Sequence, residues 1–73
     1  MIEVRLFATF RDGREKITML DSNEYKTAGD ILKHFGIPIE EVAILLINGR
    51  HSAADNPVKD GDVLALFPPA GGG

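Results

Sequence analysis

Cysteine is absent from the 73-residue chain, so no disulfide supports the fold and no thiol can act as a nucleophile or soft metal ligand. Any sulfur chemistry must therefore use another atom. Tryptophan is also absent, and one tyrosine and four phenylalanines are the whole aromatic complement. Long apolar runs are missing too. The longest, Ala43 to Ile47, is far too short to span a bilayer. Excess positive charge is lacking as well: the formal net charge is −3, and the eight cations, Arg5, Arg11, Arg14, Lys16, Lys26, Lys33, Arg50 and Lys59, are dispersed among acids. Nucleic acid needs a cationic stripe, so it is not an expected partner, and neither is a membrane. A cytoplasmic protein, monomeric when free, is expected.

What remains is an ordinary globular balance, 44% hydrophobic and 26% charged, at a length that allows one domain with one small core. Ile2, Val4, Leu6 and Ala8 alternate with Glu3, Arg5, Phe7 and Thr9, the period-two pattern of a strand with one buried face. Asp12-Gly13 signals a hairpin turn, and Glu15 to Leu20 resumes a strand with Ile17 and Met19 on one side. Thr27 can cap a helix, with Asp30 favouring its positive end. Ala28, Ile31, Leu32 and Phe35 share one helical face before Gly36 and Pro38 stop it. Ala43 to Ile47 predicts a central strand covered on both faces, with Leu46 in the core, turning at Asn48-Gly49 into a brief edge around Arg50. Asp60-Gly61-Asp62 is a further turn, and Val63 to Phe67 is a final buried strand.

This order predicts an α+β domain over residues 1–67, a mixed sheet of four to five strands packed on one main helix. Parallel pairing of the first and last strands would make it a β-grasp, or ubiquitin-like, fold. Residues 68–73, Pro-Pro-Ala-Gly-Gly-Gly, then form a flexible tail reaching at most ~20 Å. Pro68 and Pro69 favour an extended path, and Gly71, Gly72 and Gly73 allow close approach of another backbone because they lack a Cβ. An inert tail is the plain alternative.

Convergent polar groups for catalysis are not evident. His34 and His51 have no His or Cys partner at ligand spacing, so no metal is expected. Glu40-Glu41 and the acids at 60 and 62 flank turns, where carboxylates are normally solvated; Glu41, Asp60 and Asp62 could otherwise steer a basic partner. The alternation turns Phe7 away from Ile2, Val4 and Leu6, toward a face the helix does not cover. Phe67 and Ala65 could extend the same apolar patch if the last strand lies beside the first. Phe67 closing the core is the competing reading.

The opening Ile2-Glu3-Val4-Arg5-Leu6-Phe7-Ala8, the central Ile47-Asn48-Gly49, and the closing Asp60 to Phe67 followed by Pro68-Pro69-Ala70-Gly71-Gly72-Gly73 together resemble one family. It is the ubiquitin-like sulfur carriers: the molybdopterin-synthase small subunit and the thiamine-biosynthesis carrier (MoaD/ThiS). The Phe-Pro-Pro element favours the molybdopterin branch, whereas Ala70-Gly71 and the short stretch from Gly36 to Val42 depart from it, and the compact length fits thiamine carriers as well.

The resemblance implies a cosubstrate rather than an enzyme. The Gly73 carboxylate would be adenylated by a partner of the ubiquitin-activating type, which supplies ATP and magnesium, and then converted to a thiocarboxylate by a sulfur donor such as a cysteine desulfurase system. A molybdopterin synthase large subunit or a thiazole synthase would accept the sulfur, for molybdenum or tungsten cofactor or for thiazole. Gly71 and Gly72 would give steric access, and Phe7, Phe67, Pro68 and Pro69 would be the docking residues. The same adenylated terminus attacked by lysine would instead make a protein modifier.

Overall fold

The structure, a computed structural model, describes residues 1–69. Its strands are β1 (Ile2–Leu6), β2 (Ile17–Leu20), β3 (Ile44–Ile47), β4 (Arg50–His51) and β5 (Val63–Phe67), with one helix, α1 (Ala28–Phe35), between β2 and β3. They form one sheet in the order β2-β1-β5-β3-β4. β1 and β5 run parallel and the other neighbours are antiparallel, which is the expected β-grasp arrangement.

The period-two pattern sets the layers. Ile2, Val4, Leu6, Leu64 and Leu66 are fully buried and, with Leu20 and Leu45, face α1. The helix returns Ala28, Ile31 and Leu32 to the same core, which Phe10, Ile37 and Val58 close. Burial of such side chains is worth ~1.5 to 3 kcal/mol each, enough to hold a short helix that would be marginal alone.

Local chemistry fixes both ends of α1. Thr27 accepts a hydrogen bond from the Asp30 amide while the Asp30 carboxylate accepts from the amide of Thr27, closing a capping box. At the other end Gly36 takes φ +71°, where an L side chain would be strained, and its amide donates to the Leu32 and Lys33 carbonyls. Arg14 donates to the Phe10 and Phe35 carbonyls, placing a cation at the negative end of the helix.

Three expectations need correction. β1 ends at Leu6, because Ala8 enters a left-handed conformation at φ 52° and opens a 3-10 turn, Ala8–Arg11, that swings Phe10 into the core. The middle of the sheet is β5, not β3. Nor is β3 covered on both faces: only Leu45 is buried, Ile47 packs partly against the core, and Ile44 and Leu46 point to the uncovered side. Continuous hydrophobicity reflects here two faces of use rather than two layers of cover. Likewise Ile17 and Met19 do share a side, but it is the open one, where they are half-exposed.

Asp62 also departs from the solvated reading. It is buried at 4% exposure, accepting from Asn48 Nδ2 and the Lys59 amide at 2.9 Å each, while Asn48 Oδ1 accepts from the Val63 amide at 3.0 Å. Asn48 and Gly49 both have positive φ, as a two-residue hairpin turn requires, so this clamp locks the β3-β4 turn to the entry of β5. It cannot steer a partner.

Two carboxylates, half-buried Asp30 and exposed Asp60, are held below their ordinary value of 3.8. For Asp30 the main cause is the amide of Lys26, followed by that of Thr27. For Asp60 it is the hydrogen bond from the N-terminal ammonium, followed by that group's charge. A lowered folded value means the stabilisation is complete above the unfolded value and is lost as pH falls through the folded one. The thermal midpoint should accordingly be level above the ordinary carboxylate value and fall on further acidification. Asp30→Asn should make that acid limb shallower; an unchanged limb would remove the capping carboxylate as its cause.

Candidate functional site

The central strand β5 carries the chain from the Asp62 clamp to Phe67, and Pro68 and Pro69 follow at the sheet's end. Both sides of β5 are bonded along its length, to β1 and to β3, so the point from which the terminal residues depart is the best-anchored position available. The Phe67 carbonyl accepts from the Ala43 amide at 2.9 Å, extending that anchorage to the last strand residue. Ala70, Gly71, Gly72 and Gly73 lie outside the described residues.

Parity along β1 and β5 places Phe7 and Phe67 side by side on the uncovered face. Their rings stack at 4.2 Å between centroids and 12° between planes. Neither ring is in the core; both are half-buried, and the stack is worth ~0.5 to 1.5 kcal/mol beyond area burial. The register sets Ile17, Arg5, Ala65, Leu46 and His51 in one row across this face, with Ile44 opposite Phe67. The result is an apolar face meeting the outgoing chain at Pro68, which is half-buried, and Pro69, which is exposed. The reading of Phe67 as a core-closing residue does not fit this geometry.

Arg11 was not singled out by the sequence. The 3-10 turn folds it back so that Nε donates to the Leu6 carbonyl at 2.7 Å and the guanidinium carbon lies 5.3 Å from the centre of the Phe7 ring. Arg5 and Lys16 border the same corner. Cations that look dispersed along the chain thus converge in space. Hairpin register could have indicated Arg5 and Lys16, but the fold-back of Arg11 has no signal in periodicity.

His34 and His51 are exposed, His34 Nδ1 lying 2.9 Å from the Tyr25 hydroxyl. Among the described residues no group of three His, Cys, Asp or Glu side chains could hold a metal, and no helix is long and apolar enough to cross a membrane.

The sequence pattern of the ThiS family matches residues 4–73, nearly the whole chain and the terminal glycines with it. The chain belongs to the ThiS family. Solved structures give this ThiS-family chain close company. Small archaeal modifier protein 1 of Haloferax volcanii superposes with a TM-score of 0.77 at 28% identity, covering 99% of this chain and 98% of that one. A Pyrococcus furiosus protein described as molybdopterin converting factor, subunit 1, gives a TM-score of 0.71 at 25% identity, covering 93% and 95%. No curated protein sequence matches the ThiS-family chain. The fold is therefore ubiquitin-like, of the type found in small carrier proteins rather than catalysts.

Proposed function

We propose that this protein carries sulfur on the carboxylate of Gly73, for molybdopterin synthesis. The observation that carries the reading is the extent of the family match, which runs through Gly73 and so includes the glycine tail with the fold that holds it. A carboxylate is a poor electrophile because its charge repels a nucleophile. An adenylating enzyme of the ubiquitin-activating type, using ATP and magnesium, joins it to AMP and releases pyrophosphate. A sulfur nucleophile at the oxidation level of hydrosulfide then attacks the acyl carbon. The C–O bond to AMP breaks, AMP departs with the electron pair, and a thiocarboxylate remains.

The chain's own part is presentation. With no cysteine, it holds sulfur on its terminus or nowhere. Gly71 and Gly72 admit that terminus to narrow active sites, and Phe7, Phe67, Pro68 and Pro69 form the surface against which the partner seats. The acceptor enzyme is a molybdopterin synthase large subunit, or a thiazole synthase if the thiamine branch applies. A cysteine desulfurase system supplies the sulfur as a persulfide, and a thiol reductant brings it to the hydrosulfide level, ending as a disulfide.

A second reading has its own observation. The higher-scoring of the two relatives above is a protein modifier, and the same adenylate attacked by a lysine amine would form an isopeptide bond. Intact-mass measurement separates the two after incubation with an adenylating partner, ATP, magnesium and a sulfide source. The carrier gains about 16 Da as sulfur replaces oxygen. Conjugates on lysine with no such gain would establish the modifier instead, and an unchanged mass would reject both.

A further inference from the structure

The corner of the sheet where β1 ends carries positive charge out of keeping with a chain of net charge −3. Arg5, Arg11 and Lys16 border a depression of about 190 Å³ whose apolar walls are Phe7 and Ile17, and among the described residues no carboxylate lines it. Arg5 is shared with Glu3, but among the described residues neither Arg11 nor Lys16 takes part in an ion pair. Arg11 is also held in place by its bond to the Leu6 carbonyl and its position over Phe7, which leaves its terminal amino groups as donors toward the depression.

This combination is selective. An all-apolar partner would strip water from the cations without replacing it. A nucleic acid strand would need a longer basic stripe, and a free phosphate gains little from the apolar walls. A protein segment with an apolar side chain flanked by carboxylates satisfies both parts. Its side chain lies on Phe7 and Ile17, and its carboxylates take charge-assisted hydrogen bonds from Arg11 and Lys16.

We infer that this depression docks an acidic segment, anchored by an apolar side chain, of a partner protein. Because Phe7 stacks on Phe67, the docked segment lies at the base of the tail. That this partner is the enzyme acting on Gly73 rests on the function proposed above; the complementarity does not.

The test uses the full chain, labelled with ¹⁵N and titrated with a short synthetic peptide in which leucines alternate with aspartate and glutamate. Saturable shifts should centre on the amides of Arg5, Phe7, Arg11, Lys16 and Ile17. The pair Arg11→Glu with Lys16→Glu should weaken binding about tenfold or more, whereas Arg50→Glu with Lys59→Glu should not. If the reversed-charge pair unfolds, Arg11→Gln with Lys16→Gln gives the same comparison with a smaller loss.

Shifts centred on Arg50 or Lys59, no saturable shift, equal affinity of the two variant pairs, or an equal response to inorganic phosphate would overturn the inference. A chain ending at Gly71 should bind the peptide as the full chain does. Failure of sulfur loading with peptide binding intact therefore counts against the carrier reading alone.

Discussion

Deleting Gly72 and Gly73 is expected to abolish sulfur loading outright while leaving the folded domain as stable as before. Among the described residues the buried hydrophobic core runs from Ile2 to Leu66, and every buried residue within it lies on the strands, on α1 or on the loops between them. Truncation past Phe67 removes none of it. Changes that touch no buried group usually fall within ~0.5 kcal/mol, which for a domain of this size is a thermal shift below about 4 °C.

Loading should respond quite differently, because the reacting carbon itself moves. A chain ending at Gly71 still offers a carboxylate, but two residues earlier, so it would fall short by roughly 7 Å of the position an activating enzyme has built for it. Gly73→Leu should produce the same split by a different route, retaining length but adding a branched side chain where a narrow channel requires none. The check is intact mass and melting temperature on the same preparations. Normal gain of sulfur by either variant would defeat the steric part of the proposal, and a large loss of melting temperature would show that the tail supports the fold.

How much of this was legible in the residues depends on which physical effect controlled each element. α1 was readable to the residue because its signals are local: the Thr27 hydroxyl, the Asp30 carboxylate and the left-handed Gly36 act within a few positions of one another. The alternation in β1 gave both its buried side and the outward direction of Phe7 for the same reason. The parallel pairing of β1 with β5 is different. It joins residues some sixty positions apart, so the order of elements allowed it and the family resemblance of the chain's two ends favoured it, while periodicity alone could not establish it.

β3 was misjudged because an unbroken apolar run does not distinguish burial by two layers from burial by one layer plus an open apolar face. The basic corner was missed for a related reason. Arg5, Arg11 and Lys16 are brought together by a hairpin register and by a 3-10 turn begun at Ala8, a residue type that seldom takes positive φ. Asp62 looked like a turn acid, and only the approach of Asn48 from the β3-β4 turn shows why it is buried.

The sidedness of β3 yields the second large effect, a contrast between adjacent leucines. Leu45 is 5% exposed and sits opposite Leu66, on the face that meets α1, whereas Leu46 sits opposite Ala65 on the open face. Leu45→Ala removes buried methyl groups and leaves a cavity that a β5-anchored strand cannot collapse to fill, a change that typically costs ~2 to 5 kcal/mol. A core of this size rarely supplies more than about 3 to 5 kcal/mol of net stability, so the variant should be largely unfolded or nearly so at room temperature. Leu46→Ala gives up only partial burial and leaves no enclosed cavity, for a cost of about 1 kcal/mol.

Urea unfolding followed by circular dichroism would measure both. The expected result is a normal, slightly shifted transition for Leu46→Ala and a transition lost or displaced to low denaturant for Leu45→Ala. The reverse ranking would mean that β3 presents its other side to the core. That would rotate Ile44 and Leu46 inward and dismantle the apolar face beside Phe7 and Phe67. Partner binding adds a further separation: Leu46→Ala should disturb it while the domain stays folded, because that side chain lies in the same row as Arg5 and Ala65.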